Sequence, residues 1–151
     1  MDIEQAYDKI YRYAYFRVHN EQLAEDITQE TFLRYLNRKD HMGNYEMRYL
    51  YTIARNICID EFRKKREEKL PDENDSLMAH DSSDSMVTRY AVHEALAKMS
   101  EEDREVLLLR FVNEESVGTI SKYYNCSRFA IYRRIKKATV EFRRLVGGDN
   151  L

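Results

Sequence analysis

Apolar residues recur along most of this chain with a period near 3.6, the spacing that lines one face of a helix. Over residues 3–18 they fall at Ile3, Ala6, Ile10, Tyr13, Ala14 and Val18, which predicts a first amphipathic helix. Asn20 is placed to cap a second helix running through Leu36, with Glu21, Glu25 and Asp26 near its positive end. Ala24, Ile27, Thr31, Phe32 and Tyr35 form its expected inner face. The polar stretch from Asn37 to Asn44, which contains Gly43, reads as a loop. A third helix is expected from about Tyr45 to Arg66, with Leu50, Ile53, Ala54, Ile57, Cys58 and Phe62 as its stripe.

From Glu67 to about Asp84 the periodicity fails, and Pro71, Asn74 and several serines cluster with acids. That composition predicts a short flexible linker. Helical patterning resumes near Met86 and ends around Met99. Ser100 followed by Asp103 resembles a capping box for a helix reaching about Val112. A short segment from Ser116 to Tyr123, a turn at Asn125 to Ser127 and a last helix to Val146 follow, stopped by Gly147-Gly148. Glu115 and Gly118 are weak choices for the short segment, which is expected to fray or shift. No segment alternates with a period of two for long enough to be a strand. The expected fold is all-α: two small helical bundles joined by a flexible linker, the C-terminal one a helix-turn-helix. The boundaries are 1–66 for the first bundle, 67–85 for the acidic linker and 86–151 for the second.

Charge modifies this picture. The formal net charge is −2, which by itself argues against a nucleic-acid partner. The charges are segregated, however. Between Lys122 and Arg144 there are eight basic residues and one acid, Glu141, whereas Leu70 to Met86 holds five acids and no Lys or Arg. A basic stripe of this kind is a footprint of phosphate binding, although a solvated helix face gives the same count. One proline and four glycines agree with long helices. The opening Met1-Asp2-Ile3-Glu4 lacks the layout of a signal peptide, no run of 18 apolar residues exists, and a cytoplasmic location is expected. Cys58 and Cys126 each sit in an apolar helical pattern and read as core thiols.

Three surfaces could carry chemistry. In the last helix Ile131, Ile135, Ala138, Phe142 and Leu145 form the inner face, which leaves Phe129, Arg133, Lys136 and Lys137 opposite, flanked by Arg128 and Tyr132. A major groove admits one helix, and long cations near its N-terminus reach base edges and phosphates; the alternative is that they only solubilise a bundle. In the second helix Asp26, Gln29, Glu30 and Leu33 share a face at i, i+3, i+4 and i+7, a stripe that ordinary solvated surface would also show. The third helix carries Arg48, Thr52, Arg55 and Asn56 away from its core, then Arg63-Lys64-Lys65-Arg66, with Tyr45, Tyr49 and Tyr51 before and beside them. Rings beside cations suit single-stranded DNA, though with 12 tyrosines in the chain several must be packing. The four histidines show no metal-ligand pairing, and there is no C-x-x-C and no glycine-rich phosphate loop, so no metal, cofactor or enzyme activity is expected.

The run Ala24-Glu25-Asp26-Ile27-Thr28-Gln29-Glu30-Thr31-Phe32 resembles the helix with which sigma factors dock on RNA polymerase. Tyr49-Leu50-Tyr51-Thr52-Ile53-Ala54-Arg55-Asn56-Ile57-Cys58-Ile59-Asp60 resembles their promoter-melting segment, and Ala95-Leu96 through Arg110 with the helix-turn-helix resembles their −35-reading domain. The chain is thereby similar to the extracytoplasmic-function sigma factors of the sigma-70 family, over nearly its whole length and in the right order. The resemblance implies core RNA polymerase and promoter DNA as partners, and an anti-sigma factor that no segment of the chain reports. It implies polymerase contacts at Asp26, Gln29, Glu30 and Leu33, and −10 contacts at Asn37, Arg38, Lys39, Arg48, Tyr49, Arg55, Asn56 and Arg63. It assigns −35 contacts to Arg128, Phe129, Tyr132, Arg133, Lys136 and Lys137. The family usually has tryptophan where Tyr49 stands, and Glu115 and Gly118 depart from its supporting helix. The competing reading is a helix-turn-helix regulator acting without replacing the primary sigma factor, which leaves the Asp26 to Glu30 stripe and Arg55-Asn56 without a task.

Overall fold

The stripes found in the sequence become buried faces in a computed structural model, which describes residues 2–38, 46–68 and 84–147. Its helices are α1 (Ile3–Val18), α2 (Glu21–Asn37), α3 (Glu46–Glu68), α4 (Asp84–Lys98), α5 (Glu101–Leu107), α6 (Val117–Tyr124) and α7 (Arg128–Leu145). The chain divides into two compact units, Met1–Lys69 and Leu70–Leu151. Among the described residues there is no strand, and no helix is long and apolar enough to cross a membrane. Residues 39–45, with Lys39, Gly43 and Tyr45, on which most of the expected loop falls, and the acidic stretch 69–83 lie outside the described residues.

In the N-terminal unit α1, α2 and α3 each pack on the other two. His19 and Asn20 alone connect α1 to α2. His19 ends α1 in the left-handed region at φ 55° and donates its backbone N–H to Tyr15 O, while Asn20 Oδ1 accepts the Leu23 N–H at 2.8 Å. Ala14, Ala24, Ile27, Ile57 and Cys58 form one core cluster, against which Tyr11, Tyr15, Val18, Leu23 and Ile53 pack. Thr28 and Thr31 are fully buried because each hydroxyl donates to the carbonyl four residues back, at 2.7 Å. Tyr13 meets Tyr51 at 5.3 Å between ring centroids. Rings of this size bury of order 200 Å² each, a gross gain of roughly 5 kcal/mol before entropy is counted. One expectation fails here. Ile3, in the first turn, is exposed although it stands on the expected stripe, whereas Ala6, one turn on, is buried. Tyr51 is one of the tyrosines that serve packing: it is core, one turn before Ala54 on the inward side of α3.

In the C-terminal unit α5 is central. Glu105, Val106, Leu107, Leu108 and Leu109 are all buried, and a helix covered around its circumference must lie between others. Arg104 fastens α4 to it by donating Nε to Leu96 O at 2.9 Å and Nη2 to Met99 O at 2.8 Å, so the carbonyls ending α4 find partners. Ser100 Oγ accepts the Asp103 N–H at 3.2 Å, which is half of the expected capping box; the Asp103 carboxylate turns to Lys137 instead. α5 does not continue as an ordinary helix to Val112. It widens into a π-helical turn, Leu108–Val112, closed by Asn113 N–H to Leu108 O at 3.0 Å and Glu115 N–H to Leu109 O at 2.9 Å.

α6 is formed rather than frayed. Ser116 Oγ caps it by accepting the Thr119 N–H at 3.0 Å, and the buried Glu115 precedes it instead of occupying its apolar face. Asn125 ends α6 in the left-handed region at φ 56°, its N–H reaching Lys122 O and the Cys126 N–H reaching Ser121 O. Ser127 then caps α7 through the Ala130 N–H at 3.1 Å. Cys126 therefore sits half-buried in this turn and not in a helical core, whereas Cys58 is buried as expected; neither forms a disulfide among the described residues. Ile131 and Ala138 are fully buried, and Ile135, Phe142 and Leu145 partly so.

Candidate nucleic-acid interface

On α2 the expected stripe is at the surface, and each polar member has a neighbour on its own helix. Gln22 Nε2 donates to Asp26 Oδ1 at 3.0 Å, Gln29 Nε2 to Glu25 Oε2 at 3.1 Å, and Arg34 Nε to Glu30 Oε2 at 2.8 Å. These i, i+4 pairs hold the side chains upright and contribute a few tenths of a kcal/mol each, roughly 0.2–0.5. Sequence reasoning missed Tyr7 and Glu25. The Tyr7 hydroxyl donates to Glu25 Oε2 at 2.5 Å from α1, and burial together with the Glu25 carboxylate pushes its ionisation up to about 12. Leu33 and Leu36 are 58% and 63% exposed, so the stripe ends in an uncovered apolar pair. The spacing i, i+3 from Leu33 was the available signal for Leu36.

The residues assigned to −10 DNA divide into three groups. Arg38 and Tyr49 come together, with the guanidinium 4.5 Å from the ring centre, which joins the end of α2 to the start of α3. Arg48, Asn56 and Asn37 are exposed, and Arg55 is partly buried on the same helix as Asn56. Arg63 pairs with Asp60 at 2.7 Å, which spends part of its charge within α3. Lys39 lies outside the described residues.

In the C-terminal unit α7 presents Arg128, Phe129, Tyr132, Arg133, Lys136 and Lys137 to solvent. Phe129 is 77% exposed and Tyr132 59%, large values for rings on a well-packed helix. Lys137 differs from the other cations. Its Nζ donates to both carboxylate oxygens of the buried Asp103, at 3.3 and 3.1 Å, so it ties α7 to α5. Ser100, Asp103, Arg133, Lys136, Lys137, Val140 and Glu141 line an open groove beside this pair. Arg134, which the sequence did not single out, places its guanidinium 4.8 Å from the centre of the Tyr124 ring and braces α7 on α6. Arg144 pairs with Glu141, and that hydrogen bond holds the Glu141 carboxyl below its ordinary range. Burial and the nearby Glu115 push Tyr123 well above the usual range for a phenol, so it remains neutral.

The comparisons follow this division. The family model for Sigma-70 region 2 matches residues 3–68, and that for Sigma-70 region 4 matches residues 89–140. The chain is 30% identical over 156 residues to the ECF RNA polymerase sigma factor BldN of Streptomyces coelicolor, an alignment that covers 97% of this chain and 59% of BldN. It is 28% identical to the ECF RNA polymerase sigma factor SigW of Bacillus subtilis, covering 95% of this chain and 86% of SigW. The fold is shared with the sigma factor RpoE of Bartonella quintana, solved with the anti-sigma factor NepR, at a TM-score of 0.64 and 21% identity over 95% of this chain and 93% of that one. Two sigma-70 regions in order on two helical units, with relatives along nearly the whole chain, place it in the sigma-70 family, among the extracytoplasmic-function sigma factors.

Proposed function

We propose that this sigma factor acts by binding rather than by catalysis: it joins core RNA polymerase and directs it to promoters. Asp26, Gln29, Glu30 and Leu33 form the polymerase-contacting face of α2, which supplies carboxylates, an amide and an apolar end on one exposed stripe. Asn37, Arg38, Lys39, Arg48, Tyr49, Arg55, Asn56 and Arg63 serve the −10 element. Residues 67–85 act as the linker between units 1–66 and 86–151. Arg128, Phe129, Tyr132, Arg133, Lys136 and Lys137 serve the −35 element, with Arg133 and Tyr132 reading bases and Arg128 and Lys137 holding phosphates. An anti-sigma factor is the regulator this reading implies, as RpoE of Bartonella quintana has in NepR.

The observation that carries this reading is the exposure, on one helix of a helix-turn-helix, of four cations and two aromatic rings opposite a buried Ile131–Ala138 seam. Run-off transcription with purified core polymerase on genomic promoters of the source organism tests it, with start sites mapped by sequencing. Charge reversal at both Asp26 and Glu30 is expected to weaken polymerase binding by roughly 2 kcal/mol or more. Unchanged affinity in that variant removes α2 from the interface.

A further inference from the structure

Gly118 is the second residue of α6, and Arg128 is the first of α7. A Cβ on Gly118 would stand 3.0 Å from Arg128 Nη2, 3.3 Å from Nε and 3.5 Å from Cζ. The guanidinium therefore occupies the space that any other residue at 118 would fill. The backbone does not call for glycine there, since among the described glycines only Gly147 has positive φ. Glycine instead weakens a helix of eight residues. A methyl at this place would displace only the far end of a flexible side chain, so the fold tolerates it and the position of Arg128 does not. A second observation concerns charge. The first turn of α7 contains no acid and begins with this cation, contrary to the preference of a helix N-terminus for negative charge. Backbone N–H groups and a seated guanidinium are thus gathered at one point, which suits a phosphate.

We propose that Gly118 is a positioning residue for DNA binding: its missing Cβ seats the Arg128 guanidinium against α6, so that this cation is ordered before DNA arrives. The inference rests on α7 being the DNA-reading helix. Arginine loses considerable rotamer freedom when it grips a phosphate, and a prior seat removes part of that cost from the binding step. Arg128 stays exposed in its seat.

The test is a double-mutant cycle on the full chain assembled with core RNA polymerase. The probe is a promoter duplex enriched from a random library by the wild-type holoenzyme, titrated at several salt concentrations. Arg128→Ala is expected to weaken binding about tenfold and to lower the salt slope by about one. Gly118→Ala is expected to weaken it about threefold with the slope unchanged, and thermal unfolding should show a Tm no lower than wild type. Added to Arg128→Ala, it should cost nothing further. Equal losses from Gly118→Ala with and without Arg128 would overturn the positioning role, as would no loss at all while Arg128→Ala still weakens binding. If Arg128→Ala itself changes nothing, Arg128 holds no phosphate and the inference falls, whereas α7 loses its DNA role only if Tyr132→Ala and Arg133→Ala are silent as well.

Discussion

In the N-terminal unit the aromatic rings lie inside. Tyr13, Tyr51, Phe32 and Tyr35 are buried, and Tyr7 stacks on Phe32 at 5.4 Å. The C-terminal unit is built the other way round. Its core is aliphatic, with Val106, Leu107, Leu108, Leu109, Ile120 and Ile131, and buried Asp103, Glu105, Asn113 and Glu115 are threaded through it. Its rings at Phe111, Phe129 and Tyr132 stand in solvent. Among the described residues, exposed rings occur only in the second unit, beside packing rings such as Tyr124 and Phe142. A ring left in water forgoes its burial energy, and binding a partner recovers it.

The largest test of this contrast is a pair of truncations. Tyr13→Ala should destabilise the N-terminal unit by about 3–5 kcal/mol in urea unfolding. Tyr132→Ala should change stability by no more than about 0.5 kcal/mol and weaken DNA binding instead. Comparable stability losses would end the distinction. A smaller effect is expected from the buried polar groups of the C-terminal unit. Asp103→Asn removes the charge that engages Lys137, at a cost of about 1 kcal/mol in stability. With Asp103 no longer competing for it, Lys137 should hold its phosphate more tightly and raise DNA affinity a fewfold, read in the same titration. A third effect is on pH dependence. Burial lowers His93 in α4 from 6.5 to about 4. Between these values the unfolded chain binds a proton that the folded one does not, so stability rises with pH across that window and falls on acidification. Thermal unfolding from pH 7 to pH 4 should show this decline, and His93→Gln should flatten it.

The sequence revealed the helices and most of their buried faces, because Ala6, Ile10, Tyr13 and Ala14, or Leu50, Ala54, Ile57 and Cys58, repeat at a spacing that only packing explains. It was silent wherever a tertiary contact decides. Nothing in Leu108-Leu109-Arg110-Phe111-Val112 marks a π-helical turn, whose closing bond runs from the Asn113 N–H back to Leu108 O. Tyr49 and Tyr51 look alike in composition, yet two positions along a helix separate a ring under Arg38 from a ring in the core. Gly118 read as a defect because its use is visible only with Arg128 beside it. Lys137 read as one more cation on a basic face, and its tether to Asp103, 34 residues earlier in the chain, has no local signature.

The turn before α7 carries a consequence for how such a protein diversifies. Its shape is fixed by main-chain bonds at Asn125 and Cys126 and by one capping hydroxyl on Ser127. None of the outward side chains of α7 takes part in those three bonds. On the proposed assignment of α7 to the −35 element, mutation at Phe129, Tyr132, Arg133 or Lys136 can therefore rewrite the promoter vocabulary of a lineage while the helix keeps its seat. A duplicated copy is then free to acquire a new regulon through single codon changes, with no interval in which the domain is unfolded.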